Sequence, residues 1–145
     1  MSTTTAADPV GEIPLPVPSP RTQPFWTAAA GGTLVLQRCP NDASYQWTPQ
    51  QACIECLSED LVWEPVSGRG TVYSYSIVRR PQTPAFGVPY VVVIIELEEG
   101  PRMLSRLVDV DPESVTIGMP VQVSFERHGD LALPLFTRAE QGTTA

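Results

Sequence analysis

The chain contains no lysine. All nine of its basic residues are arginines, set against sixteen acids, and the formal net charge is −7. A chain this acidic, without a basic cluster, is a poor match for nucleic acid or an anionic membrane surface. Histidine is nearly missing as well. His128 is the single copy, so imidazole general-base chemistry has one candidate. No stretch approaches the roughly 20 apolar residues of a spanning helix, and no N-terminal apolar run resembles a signal peptide. Cysteine is scarce and odd in number, at three, which is no disulfide framework. Together these absences lead to the expectation of a soluble protein in a reducing cytoplasm. Long helices are excluded by what is abundant: sixteen prolines and ten glycines in 145 residues. That length allows one compact unit or two very small ones, and a hydrophobic share of 42% supports a modest core.

The three cysteines lie close together. Residues 39–56 read CPNDASYQWTPQQACIEC. Cys53 and Cys56 form a C-x-x-C knuckle, and Cys39 opens a second one in which Asp42 stands where the fourth cysteine would be. Two such knuckles at this separation are the pattern of a tetrahedral structural zinc. Three thiolates and a carboxylate carry the same charge as four thiolates, and aspartate is an ordinary zinc ligand. The expected ligands are therefore Cys39, Asp42, Cys53 and Cys56. The competing reading is a ribbon held without metal by an apolar plug of Tyr45, Trp47 or Trp63. A catalytic zinc is disfavoured, because nothing nearby supplies a base.

The rest of the chain divides by composition. Residues 1–23 are polar and proline-rich, a disordered leader passing into an extended arm with apolar Ile13, Leu15 and Val17. Residues 24–66 hold a short helix, PFWTAAA, stopped by Gly31 and Gly32, and then the ribbon, with strands expected over 33–38 and 61–64. Residues 67–138 hold five expected strands at 70–80, 89–97, 103–108, 121–127 and 131–136, with a single turn near Pro112. Residues 70–80 alternate, with Tyr73, Tyr75 and Ile77 on one face and Val72, Ser74, Ser76 and Val78 on the other; the β-branched run at 89–97 reads as buried on both faces, and Pro134 favours an edge. Five short strands at this spacing fit an oligomer-binding (OB) barrel. Residues 139–145 read as a frayed tail. No internal repeat is evident.

The ordered set of Phe25-Trp26, Leu34-x-Leu36-x-Arg38-Cys39, Cys53-x-x-Cys56-x-Ser58, Ser67-Gly68-Arg69-Gly70-Thr71-Val72-Tyr73, Pro89-Tyr90-Val91-Val92, Glu96-Leu97-x-Glu99-Gly100-Pro101-Arg102 and Gly118-Met119-Pro120-Val121 resembles a known family. It is similar to the acyl-CoA-associated proteins with a rubredoxin-like zinc ribbon and an OB fold, catalogued as domain of unknown function thirty-five. The resemblance covers about residues 24–138, and Asp42 is its departure. It implies a mainly β protein with a short N-terminal helix, a zinc ribbon and a five-stranded OB barrel. It further implies a non-catalytic accessory subunit that stabilises a thiolase-like, aldolase or hot-dog hydratase enzyme and helps position the CoA thioester, in steroid or other lipid degradation among other pathways. The alternative is a stand-alone module binding acyl-CoA or lipid in its barrel.

Other candidates have plainer readings beside them. Gly68-Arg69-Gly70-Thr71 precedes a strand, so it reads as a hinge rather than a phosphate loop. Arg79 and Arg80 could meet CoA phosphates or pair with acids at the rim. Phe86 lies in a loop tip over 82–88, facing a partner or tucked over the barrel. His128 reads as a turn residue, and Ser74 and Ser76 have no paired base. The barrel core has no evident need of Leu15, Val17, Phe25, Trp26 or Phe86, so these five are the expected partner interface.

Overall fold

The computed structural model describes residues 11–139. The expected disorder of the first ten residues and of the tail from 140 onward lies outside them. The arm from residue 11 carries no regular element until the helix α1, Gln23–Ala30. Pro24 occupies its first turn, where a missing N–H costs nothing. At the other end Gly31, Gly32 and Thr33 donate to the carbonyls of residues 27–29, and the Arg127 guanidinium donates to the Ala30 carbonyl. A cation on the last turn also suits the helix dipole.

A three-stranded antiparallel sheet follows, built from β1 (Val35–Arg38), β2 (Tyr45–Gln46) and β3 (Val62–Pro65) in the order β2-β1-β3. The remaining strands are β4 (Arg69–Val78), β5 (Tyr90–Leu97), β6 (Arg102–Leu107), β7 (Pro120–His128) and β8 (Leu131–Arg138), with a 3-10 turn at Pro112–Ser114. They close into a barrel in the order β4-β5-β6-β8-β7. This is the expected five-stranded OB barrel. All pairings are antiparallel except β6 with β8, which meet in parallel at Leu107 and Phe136.

Three details differ from the sequence reading. The run in β5 is not buried on both faces. Val91, Val93, Ile95 and Leu97 are buried, while Val92 and Ile94 are half-buried and Glu96 is exposed, because the outer side of this strand is only partly covered among the described residues. Strand β4 does not keep one alternation. Its register against β5 slips between Val72 and Ser74, so Val72 is buried and Tyr73 through Ser76 are exposed; a bulge of this kind turns a strand around a barrel corner. Pro134 is not on an open edge but pairs with Phe125 in the closed barrel. It is tolerated beside the sparse β6–β8 seam, where the Ser105 hydroxyl donates to the Pro134 carbonyl at 2.8 Å.

One buried cluster runs through both parts. It joins Phe25, Leu34, Val35 and Leu36 to Val72, Val91, Ile95, Met103, Val121 and Phe136 of the barrel. The crossing from ribbon to barrel is tight. A Cβ on Gly70 would lie 2.4 Å from the Glu96 carbonyl oxygen, and one on Gly68, whose φ is +75°, would lie 2.3 Å from Val123 Cγ1. Gly68 and Gly70 are thus close-packed positions in the crossing from ribbon to barrel that only glycine fits.

Candidate metal centre

The site is built by two knuckles with the same backbone. In the first, the Cys39 amide donates to the Ser44 carbonyl at 2.9 Å and the Ala43 amide to the Cys39 carbonyl at 2.8 Å. In the second, the Cys53 amide donates to the Ser58 carbonyl at 2.8 Å and the Leu57 amide to the Cys53 carbonyl at 2.9 Å. Ala43 and Leu57 both carry positive φ, 64° and 65°. CPNDAS and CIECLS are therefore a six-residue repeat, which corrects the expectation of none. The repeat places Asp42 where the second knuckle has Cys56. Its signal in the sequence is short: Cys-x-x-(Asp or Cys)-x-Ser, twice, fourteen residues apart.

The four side chains converge. Single donor atoms of Cys39, Asp42, Cys53 and Cys56 all lie within 4.8 Å of one another. Cys39 Sγ is 3.5 Å from Cys56 Sγ, and Cys53 Sγ is 3.4 Å from Asp42 Oδ2. Bonds of about 2.3 Å to sulfur and about 2.0–2.2 Å to oxygen put tetrahedral ligands about 3.4–3.8 Å apart, so this donor set fits a zinc-sized ion. The other oxygen, Asp42 Oδ1, accepts from the Ser44 hydroxyl at 2.6 Å and the Ser44 amide at 3.0 Å. Those two bonds, the hydroxyl first, hold the carboxyl down to about 2. The sulfurs differ. The Asp42 amide favours ionisation of Cys39, yet burial and the neighbouring Cys56 and Cys53 sulfurs raise it to about 11. Cys53 is lowered, chiefly by the Cys56 amide and then by that of Glu55, against the cost of burial. Crowded sulfurs without a cation cannot all ionise cheaply.

The loop between the knuckles is held by two side chains absent from the sequence reading, Gln37 and Gln46, 5% and 3% exposed. Gln37 donates to the Gln50 carbonyl at 2.9 Å and accepts from the Gln50 amide at 2.8 Å and from Gln46 at 3.2 Å. Gln46 also donates to the Ala52 carbonyl and accepts from the Ile54 amide at 3.0 Å. This closed network delivers Cys53 to Cys39. The aromatic plug is present as well: Trp47 and Trp63 pack on Phe25, at ring-centroid distances of 4.6 and 6.5 Å.

The remaining candidates lie elsewhere. Arg79 pairs with Glu113 at 2.6 Å, and Arg80 is exposed beside it. His128 sits 2.7 Å from Glu126, which Arg106 also approaches at 3.4 Å. Phe86 is half-buried, its ring 5.7 Å from that of Tyr90. Phe25 is 2% exposed and is withdrawn from the expected interface, because it fills the join between helix and ribbon. Trp26 is half-buried against the same core. Leu15 and Val17 are exposed, at 40% and 90%.

Comparison with known proteins agrees with the fold. The family described as ChsH2, C-terminal OB-fold domain, matches residues 63–126. A DUF35 domain-containing scaffold protein of Methanocaldococcus jannaschii is 40% identical over 65% of this chain and 68% of its own. The 3-oxo-4,17-pregnadiene-20-carboxyl-CoA hydratase alpha subunit of Mycobacterium tuberculosis is 38% identical over 75% of this chain. The chain spans only 35–38% of the length of the hydratase alpha subunits it matches. Among solved structures, a chain of the Ltp2-ChsH2(DUF35) aldolase superposes with a TM-score of 0.79 at 35% identity, covering 86% of this chain and 98% of that one. With the ribbon, the barrel and these likenesses together, the chain belongs to the DUF35 family.

Proposed function

We propose that this protein is a non-catalytic subunit that stabilises an acyl-CoA-processing enzyme, with a structural zinc in its ribbon. One observation carries the reading: the likeness extends over 98% of a chain in an aldolase whose name couples an Ltp2 component to a DUF35 component. The preferred partner is a thiolase-superfamily aldolase or acyltransferase. Against a hydratase, the chain corresponds to little more than a third of the hydratase subunits. Zinc is the ion that three thiolates and one carboxylate suit, and it would tie the two knuckles together, with no substrate chemistry at the ion. The free thiols call for a reducing compartment, the cytoplasm. No helix among the described residues is long and apolar enough to cross a membrane.

A stand-alone ligand barrel is the weaker reading, because Val72, Val91, Val93, Ile95, Met103, Val121 and Phe136, each at most 2% exposed, fill the interior. Any help in positioning a CoA thioester would come from the outside, with Arg79 and Arg80 near the partner's active site. The boundaries near 23, 66 and 138 are proposed to separate arm, ribbon and barrel as units of binding, although ribbon and barrel share one core. The test is co-expression of the tagged chain with candidate thiolase-superfamily enzymes from its own host. The chain alone should turn over no acyl-CoA, and the pair should co-purify as an active complex. A partner that is stable and fully active without this chain would sink the proposal.

A further inference from the structure

The two knuckles carry a serine at the same backbone position, and the two serines do different things. Ser58 Oγ accepts from the Asp60 amide at 3.2 Å, within its own turn. Ser44 Oγ lies 2.6 Å from Asp42 Oδ1, which the Ser44 amide also reaches. That leaves Asp42 Oδ2 as the oxygen on the cysteine side, 3.4 Å from Cys53 Sγ. A free carboxylate on an exposed turn has two equivalent oxygens and a rotating χ2, and it can chelate, bridge or swing away. Here one oxygen is taken and the plane of the group is fixed.

We propose that Ser44 is a positioning residue that makes Asp42 a one-oxygen metal ligand, so that the aspartate reproduces the single-donor role that Cys56 plays in the other knuckle. The inference rests on the metal reading above and goes beyond it by explaining how a knuckle works without its second cysteine. A sulfur has one donor atom and needs no such orientation; a carboxylate does. Hydrogen-bond partners of this kind, behind a ligand, are worth about 10- to 100-fold in metal affinity. Ser44 Oγ also lies 4.0 Å from Cys53 Sγ, so an effect through that sulfur has to be separated from one through Asp42.

The experiment measures zinc affinity of the full chain by competition with a chromophoric chelator, the fold of each metal-free variant being checked by circular dichroism. Ser44→Ala should weaken zinc binding about 10- to 100-fold, Ser44→Thr, which keeps the hydroxyl, should bind close to the natural chain, and Ser58→Ala should leave affinity unchanged. The deciding pair is made in the Asp42→Cys background. There, Ser44→Ala should change affinity by no more than about twofold, the scatter expected of independent sites. An equal loss in both backgrounds would assign Ser44 to Cys53 or to the turn and overturn the proposal. So would an unchanged affinity for Ser44→Ala in the natural background. A natural chain that takes up no zinc overturns the metal reading, and this inference with it.

Discussion

Ala43 and Leu57 hold the left-handed backbone that lets each knuckle fold back on its first cysteine. Left-handed backbone costs an L-residue roughly 1–2 kcal/mol and costs glycine almost nothing. Ala43→Gly should therefore raise stability by up to about 1 kcal/mol in urea unfolding, without loss of zinc; a destabilised variant would mean that the Ala43 methyl packs usefully. Asp42 gives a pH signature in the metal-free protein. Its carboxyl ionises at about 2 when folded, against about 3.9 in an unfolded chain. The stability it adds is complete above the unfolded value and is lost as pH falls from about 4 toward 2. The natural chain should accordingly exceed Asp42→Asn in stability at neutral pH, with the difference shrinking across that window. A difference that does not change with pH would detach the low value from the Ser44 bonds.

The knuckles meet because the Gln37–Gln46 network pins the strand-to-loop segment between them. Satisfied buried amides of this kind specify one arrangement, and each unsatisfied remnant costs about 1–3 kcal/mol. Gln37→Leu strands the Gln50 amide and carbonyl and removes one of the bonds of the Gln46 side chain. It should cost about 2 kcal/mol or more in chemical unfolding and weaken zinc uptake; a neutral result would show that water replaces the side chain. This element was hidden in the sequence. A glutamine in a strand reads as solvent-facing, and the two-residue β2 is too short to show a period. The barrel strands were legible for the opposite reason, since β7 and β8 are long enough to declare themselves. The bulge in β4 was not, because Tyr73 and Ser74 alternate as a regular strand would while the partner register slips. The metal cluster was legible from cysteine spacing, with Asp42 in the place of a fourth cysteine, and the matched backbone bonds add the geometry that makes the two knuckles equivalent.

At the scale of the molecule, the helix joins ribbon to barrel, and the sequence did not reveal this. An aromatic pair on a short helix resembles a docking anchor, yet Phe25 lies at the centre of three tryptophans. Phe25→Ala should lower stability by about 3–5 kcal/mol, so its failure to bind a partner would carry no information about the interface. The exposed arm is the better probe. Val17 stands out from the surface at 90% exposure and Leu15 is partly uncovered at 40%, among prolines that keep the segment extended, and an apolar side chain left open in this way gains little for the free chain. An extended segment also loses little entropy when it is laid onto another protein. The double variant Leu15→Asp with Val17→Asp should leave the unfolding free energy within about 0.5 kcal/mol of the natural chain's, as exposed substitutions usually do. If the arm is where the enzyme subunit docks, the same variant should weaken co-purification tenfold or more, about 1.4 kcal/mol. Full retention of the complex by this variant would move the interface to the outer face of β4, β5 and β6, where Tyr75, Ile94 and Leu104 are only partly covered.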